Sequence, residues 1–108
     1  MTVAELCSQC CFEDVCMPDE NRPVSGAYIG DLLSWVMGRA GADNAWITIM
    51  SNVNVIAVAS LSDVSCVILA EGVNLEDELV NTAREKGINV LKSRFPAYET
   101  ALILEGKV

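Results

Sequence analysis

A chain of 108 residues, 52% hydrophobic, with a formal net charge of −8 from seven Lys/Arg against fifteen Asp/Glu, has the size of one domain and an unusually apolar composition. Its basic residues are scattered (Arg22, Arg39, Arg84, Lys86, Lys92, Arg94, Lys107), which argues against nucleic acid and anionic membrane as partners, because both attract clustered positive charge. The absence of His removes Ser-His-Asp and Cys-His nucleophile arrangements.

No apolar run reaches the roughly 18 residues of a spanning helix. Met1-Thr2-Val3-Ala4-Glu5 lacks the basic start of a signal peptide, so a cytoplasmic single domain over residues 1–108 is expected.

Thr2 and Glu5 fit a capping box, predicting a short helix through about Cys10. Phe12 to Met17 reads as a short strand, Pro18 to Pro23 as a turn, and Val24 to Ile29 as a second strand. Asp31 is the expected N-cap of a helix whose core face is Leu32, Leu33, Val36, Met37 and Ala40, with Trp35 off that stripe. Ala45 to Met50 has the β-branched and aromatic character of a strand. Ser51 or Asn52 caps the next helix, which ends near Ser62 and Asp63 and has almost no polar face between Asn54 and Leu61. Ser65 to Ala70 is a near-continuous apolar run, as expected of a strand covered on both faces. Asn74 is expected to cap a helix through Lys86 with Leu75, Leu79, Val80 and Ala83 inward, and Gly87 to stop it. Ile88 to Leu91 is the last strand. Pro96 suits the first position of a final helix with Tyr98, Ala101 and Leu102 inward.

Strands alternating with helices imply an α/β fold: three layers, a mainly parallel sheet of about five strands, and helices on both faces. An all-apolar helix must be covered on every side. A second copy of the chain is therefore expected against it, with Trp35, Val55 and Val58 at the interface.

Two groups of residues suggest chemistry. Ser51, Asn52 and Asn54 sit where a strand gives way to a helix N-terminus, which favours an anion, and Ser93 and Arg94 follow the last strand at the same sheet edge. Together they are a candidate site for a phosphate or carboxylate; helix capping is the simpler account of Ser51 and Asn52. Cys7, Cys10, Cys11 and Cys16 offer chelate spacing for zinc or an iron–sulfur cluster. Adjacent Cys10 and Cys11 make poor joint ligands, and small buried hydrophobes are the preferred reading. Cys66, in an apolar strand, is packing. The acidic runs Glu13-Asp14, Asp19-Glu20 and Glu76-Asp77-Glu78 read as solvated faces.

The string Gly26-x-Tyr28-x-Gly30-Asp31-Leu32-Leu33-Ser34-x-Val36-Met37 resembles the start of a DRTGG domain. The likeness continues through Trp46-Ile47-Thr48, Asn52-x-Asn54-x-x-Ala57-Val58-Ala59 and Gly87-Ile88-x-Val90-Leu91. The literal Asp-Arg-Thr-Gly-Gly string is absent, as in a divergent or short stand-alone member. The resemblance implies the fold of the HPr kinase/phosphatase N-terminal domain, which lacks the kinase site. Such domains also occur as extra modules in some phosphotransacetylases and inorganic pyrophosphatases. The region matching the N-terminal cysteines is usually aliphatic in the family, in keeping with packing.

Three functions remain open. A non-enzymatic regulatory or assembly module that forms a homodimer and needs no cofactor is preferred. The alternatives are a sensor for a nucleotide or phosphorylated metabolite, and a metal or redox protein built on the N-terminal cysteines. No Gly-x-x-x-x-Gly-Lys-Ser/Thr loop and no nucleophile–base pair is visible, so an enzyme is the least supported class.

Overall fold

Four short parallel strands form most of one sheet, and a fifth closes one of its edges antiparallel. In the computed structural model, which describes residues 1–108, these are β1 Glu13–Cys16, β2 Ala27–Ile29, β3 Ala45–Thr48, β4 Cys66–Leu69 and β5 Val90–Lys92, in the order β1-β5-β4-β3-β2. Every residue of β3 and β4 is buried, as their unbroken apolar runs demand. β1 is the antiparallel strand. It sets Glu13 opposite Lys92 and Asp14 opposite Leu91, with an irregularity before Cys16 meets Val90.

Five helices complete the chain: α1 Val3–Gln9, α2 Leu33–Arg39, α3 Val53–Ser62, α4 Asp77–Lys86 and α5 Ala97–Leu104. From β2 to β5 the strands succeed one another in space as they do in sequence. Crossovers of one hand then place every connecting helix on the same face. Accordingly Val36 of α2, Ile56 of α3 and Ala83 of α4 share one core with Trp46, Val67, Leu69 and Val90. The alternate strand residues Ala45, Ile47, Cys66, Ile68 and Leu91 point the other way, into a second core beneath Val3 and Leu6 of α1 and Leu104 of α5. The expected three-layer α/β architecture is the one observed.

α3 lies between α2 and α4 in its layer. Its apolar middle is covered by its own domain: Val55 is 1% exposed and Val58 6%. These two valines, expected at an intersubunit surface, are core residues instead, and burial of each contributes about 2 kcal/mol. The large apolar side chains of α3 that are exposed are Val53 and Leu61.

Several element ends depart from expectation. The capping box of Thr2 and Glu5 is present, and hydrogen bonding to Thr2 holds the Glu5 carboxyl below its ordinary range. Asn52 rather than Ser51 caps α3, and Gly87 ends α4 at φ +72°. Asp31 does not cap α2. Leu32 holds that position without a side-chain bond, and Asp31 reaches back to the end of β3. Asn74 does not cap α4 either; Glu76 precedes that helix, and Asn74 accepts a hydrogen bond from Lys92. Pro96 is the N-cap residue of α5 rather than its first residue. Tyr98 and Leu102 face solvent, and Thr100 and Leu104 turn inward.

Candidate functional site

β4 and β5 are adjacent and parallel, yet the chain leaves them in opposite directions. After β4 it crosses to α4 on one face; after β5 it crosses to α5 on the other. Such a divergence opens a crevice beyond the carboxyl ends of the strands, where ligands of open α/β sheets gather. A cleft of ≈ 280 Å³ lies there, lined by Gly72 from the β4 side, Lys92, Arg94 and Phe95 from the β5 side, Cys11 from the α1–β1 turn and Glu13 at the start of β1.

Backbone bonds brace it. The Glu71 amide donates to the Phe95 carbonyl and the Gly72 amide to the Ser93 carbonyl, both at 2.8 Å. Glu71 and Gly72 take φ of +62° and +66° to make this turn. A Cβ on Gly72 would meet nothing within 4 Å, so the glycine relieves backbone strain rather than crowding.

The cleft is lined by two of the chain's seven cations, Lys92 and Arg94, and by one carboxylate, Glu13. The Lys92 Nζ lies 3.0 Å from Glu13 Oε2 and donates to Asn74 Oδ1 at 2.6 Å. The Arg94 guanidinium stacks over the Phe95 ring, 4.8 Å from its centroid, and forms no ion pair. Ser93 is not available to a ligand in the same way. It is buried, its hydroxyl shares a 2.7 Å hydrogen bond with Thr100 Oγ1, and it accepts the Phe95 amide at 3.2 Å.

Of the residues expected to converge on an anion, Ser93 and Arg94 line this cleft, and Ser51, Asn52 and Asn54 do not. The latter follow β3, one strand further along the sheet, and border none of the domain's cavities. Asn52 Oδ1 is engaged by the Asn54 amide at 2.9 Å, an ordinary cap. Glu13, Gly72 and Phe95 were not legible as site residues. Only the antiparallel pairing of β1 with β5 brings Glu13 to the end of the last parallel strand.

The N-terminal cysteines do not assemble a metal centre. No group of three or more Cys, Asp or Glu side chains is placed to hold an ion. Cys7 and Cys10 lie in the core under α1, Cys16 lies in the core across the sheet, and Cys11 is exposed at φ +56°. The Cys7 thiol donates to the Phe12 carbonyl at 3.2 Å and the Cys16 thiol to the Ile88 carbonyl at 3.5 Å. Burial raises the pKa of Cys7, Cys10 and Cys16, and pushes that of Cys66 up to about 12.

Trp35 is 53% exposed on the outer side of α2, its ring capped by the Arg39 guanidinium 3.8 Å from the centroid. Leu32 and Met37 are at least half exposed on the same helix and its cap.

In fold the chain is similar to the CBS and DRTGG domains of the regulatory region of a Clostridium perfringens pyrophosphatase, solved in complex with its activator diadenosine tetraphosphate. The TM-score is 0.77 at 11% identity, over 95% of this chain and 45% of that one. The chain thus spans less than half the length of that structure. No curated protein matches it in sequence. The DRTGG domain family matches residues 20–106, from the turn before β2 to just past α5, and the chain belongs to that family.

Proposed function

We propose that this DRTGG domain is a regulatory and assembly module with no chemistry of its own, working as a homodimer. The observation that carries the reading is the outer side of α2, where Leu32 and Trp35, three residues apart and so on one side of the helix, stand in solvent on a chain of net charge −8. Two copies of so acidic a chain repel one another unless they meet where charge is sparse. An apolar surface centred on a Trp, with one Arg beside it, has the composition of an interface core. The fold's likeness to part of a regulatory region supports the regulatory role. Light scattering at micromolar concentration tests it: a dimer mass that falls to the monomer mass in Trp35→Glu supports the reading, and a strictly monomeric wild-type chain ends it.

A second reading, ligand sensing, is favoured by the cleft between β4 and β5. Its binding residues are Arg94 and Lys92, with Ser93 holding the loop, rather than Ser51, Asn52 and Asn54. No helix of the chain is long and apolar enough to cross a membrane.

A further inference from the structure

We propose that the cleft between the β4–α4 and β5–α5 turns binds a small oxyanion carrying a compact apolar body, a phosphomonoester or a carboxylate, with Arg94 as its principal contact and Glu13 as a built-in competitor. The proposal rests on the sensing reading and gives it a ligand class.

Charge comes first. Arg94 is the cation of the cleft without a carboxylate partner; its guanidinium carbon lies over the Phe95 ring, 4.8 Å from the centroid, and its N–H groups make no hydrogen bond to the protein. A planar guanidinium with its donors unused is suited to two parallel bonds to an oxyanion. Lys92 supplies the second charge. Its ammonium has three donors, of which one bonds Asn74, and it forms an ion pair with Glu13. The Glu13 carboxylate, whose side chain is 64% exposed, is held only by a surface ion pair, which an incoming anion can displace.

Size comes next. A volume of ≈ 280 Å³ lies at the small end of ligand cavities, which run from about 300 to 1,000 Å³. It accommodates one phosphate or carboxylate with a ring-sized body beside Phe12 and Phe95, and is too small to enclose a dinucleoside polyphosphate.

The wall formed by Cys11, Phe12 and Glu13 precedes residues 20–106, the part of the chain that matches the family. The competing carboxylate therefore comes from outside the span of the family match, on the edge strand β1, in a segment that the fold likeness, which covers 95% of this chain, extends into.

The test is a titration of the full chain with inorganic phosphate, phenyl phosphate and benzoate, followed by thermal shift and calorimetry. The expected result is saturable stabilisation by phenyl phosphate or benzoate, whichever headgroup the site prefers, and weaker binding of inorganic phosphate. Arg94→Gln should weaken the best probe by about tenfold or more, and Glu13→Gln should tighten it by about threefold, the sizes expected for losing a charge-assisted pair and for removing a surface competitor. Arg94 is exposed and makes no hydrogen bond to the protein, so its variant should keep the unliganded melting temperature. No saturable response to any of the three probes at millimolar concentration overturns the proposal. So does an Arg94→Gln chain that binds as tightly as wild type, or weaker binding in Glu13→Gln. Light scattering on the same samples separates the two readings: anion binding by a monomer removes assembly alone, and a dimer blind to all three probes removes the ligand site alone.

Discussion

The carboxylate of Asp31 accepts the hydroxyl of Thr48 at 2.8 Å and the amide of Ile49 at 3.0 Å, tying the start of the α2 turn to the carboxyl end of β3. Thr48 is 1% exposed, so its hydroxyl has no water to turn to. Asp31→Ala should cost about 1–3 kcal/mol in urea unfolding, the penalty of a buried donor left without its acceptor. Asp31→Asn keeps an acceptor oxygen and should cost clearly less. The double variant Asp31→Ala/Thr48→Val should be less unstable than the sum of the singles; strict additivity would show that the bond does not hold the two elements together.

The buried thiols make the domain sensitive to alkali. Cys66 titrates near 9.0 when unfolded and at about 12 when folded, so the folded chain must keep a proton that the unfolded chain gives up. Its contribution is intact below pH 9 and is lost as pH rises toward 12, by about 1.4 kcal/mol per unit. Cys7, Cys10 and Cys16 shift in the same direction. Unfolding free energy should fall from about pH 9 upward, and Cys66→Val should flatten that limb. A stability profile level from pH 8 to 11 would contradict the burial.

Thiol reactivity should separate one cysteine from four. Cys11 is exposed, and Cys7, Cys10, Cys16 and Cys66 are buried. A disulfide reagent at pH 8 should titrate one thiol per folded chain at once and the other four only after denaturant is added. Cys11→Ser should abolish the fast phase.

Arg22 fastens the N-terminal turn to the rest of the fold. Its guanidinium bonds Asp43 Oδ1 at 3.0 and 3.1 Å and Asp63 Oδ1 at 2.8 Å. Burial works against its charge, but the two aspartates outweigh it and raise its pKa. Arg22→Ala should cost about 1–3 kcal/mol, and Arg22→Lys should recover only part of that, because a single ammonium cannot reproduce the fork. Chemical denaturation of the three proteins decides it.

Helices and central strands were legible because their signals are local. The capping box at Thr2, the unbroken apolar run Cys66 to Leu69 and the glycine stop at Gly87 each specify their own conformation. What the sequence hid depends on partners far along the chain. Asp31 has the right type and position for an N-cap, and only the nearby end of β3 draws it away. Val55 and Val58 read as surplus apolar surface because nothing local reveals that α2 and α4 flank α3. Half of the cleft was likewise out of sight, since Glu13 reaches Lys92 through an antiparallel pairing across most of the chain. Asn89 is the instructive omission. Its polar side chain interrupts an apolar stretch because it bonds both the Asp19 backbone and the Ser65 carbonyl, fixing the N-terminal turn against β5.

That pairing of β1 with β5 joins residues from the first and last fifths of the chain around one hollow. A guest seated there would act as a clasp, holding both termini shut. Its presence would register as slower amide exchange and slower proteolytic nicking in residues 1–17, even though most of the parallel sheet makes no contact with it.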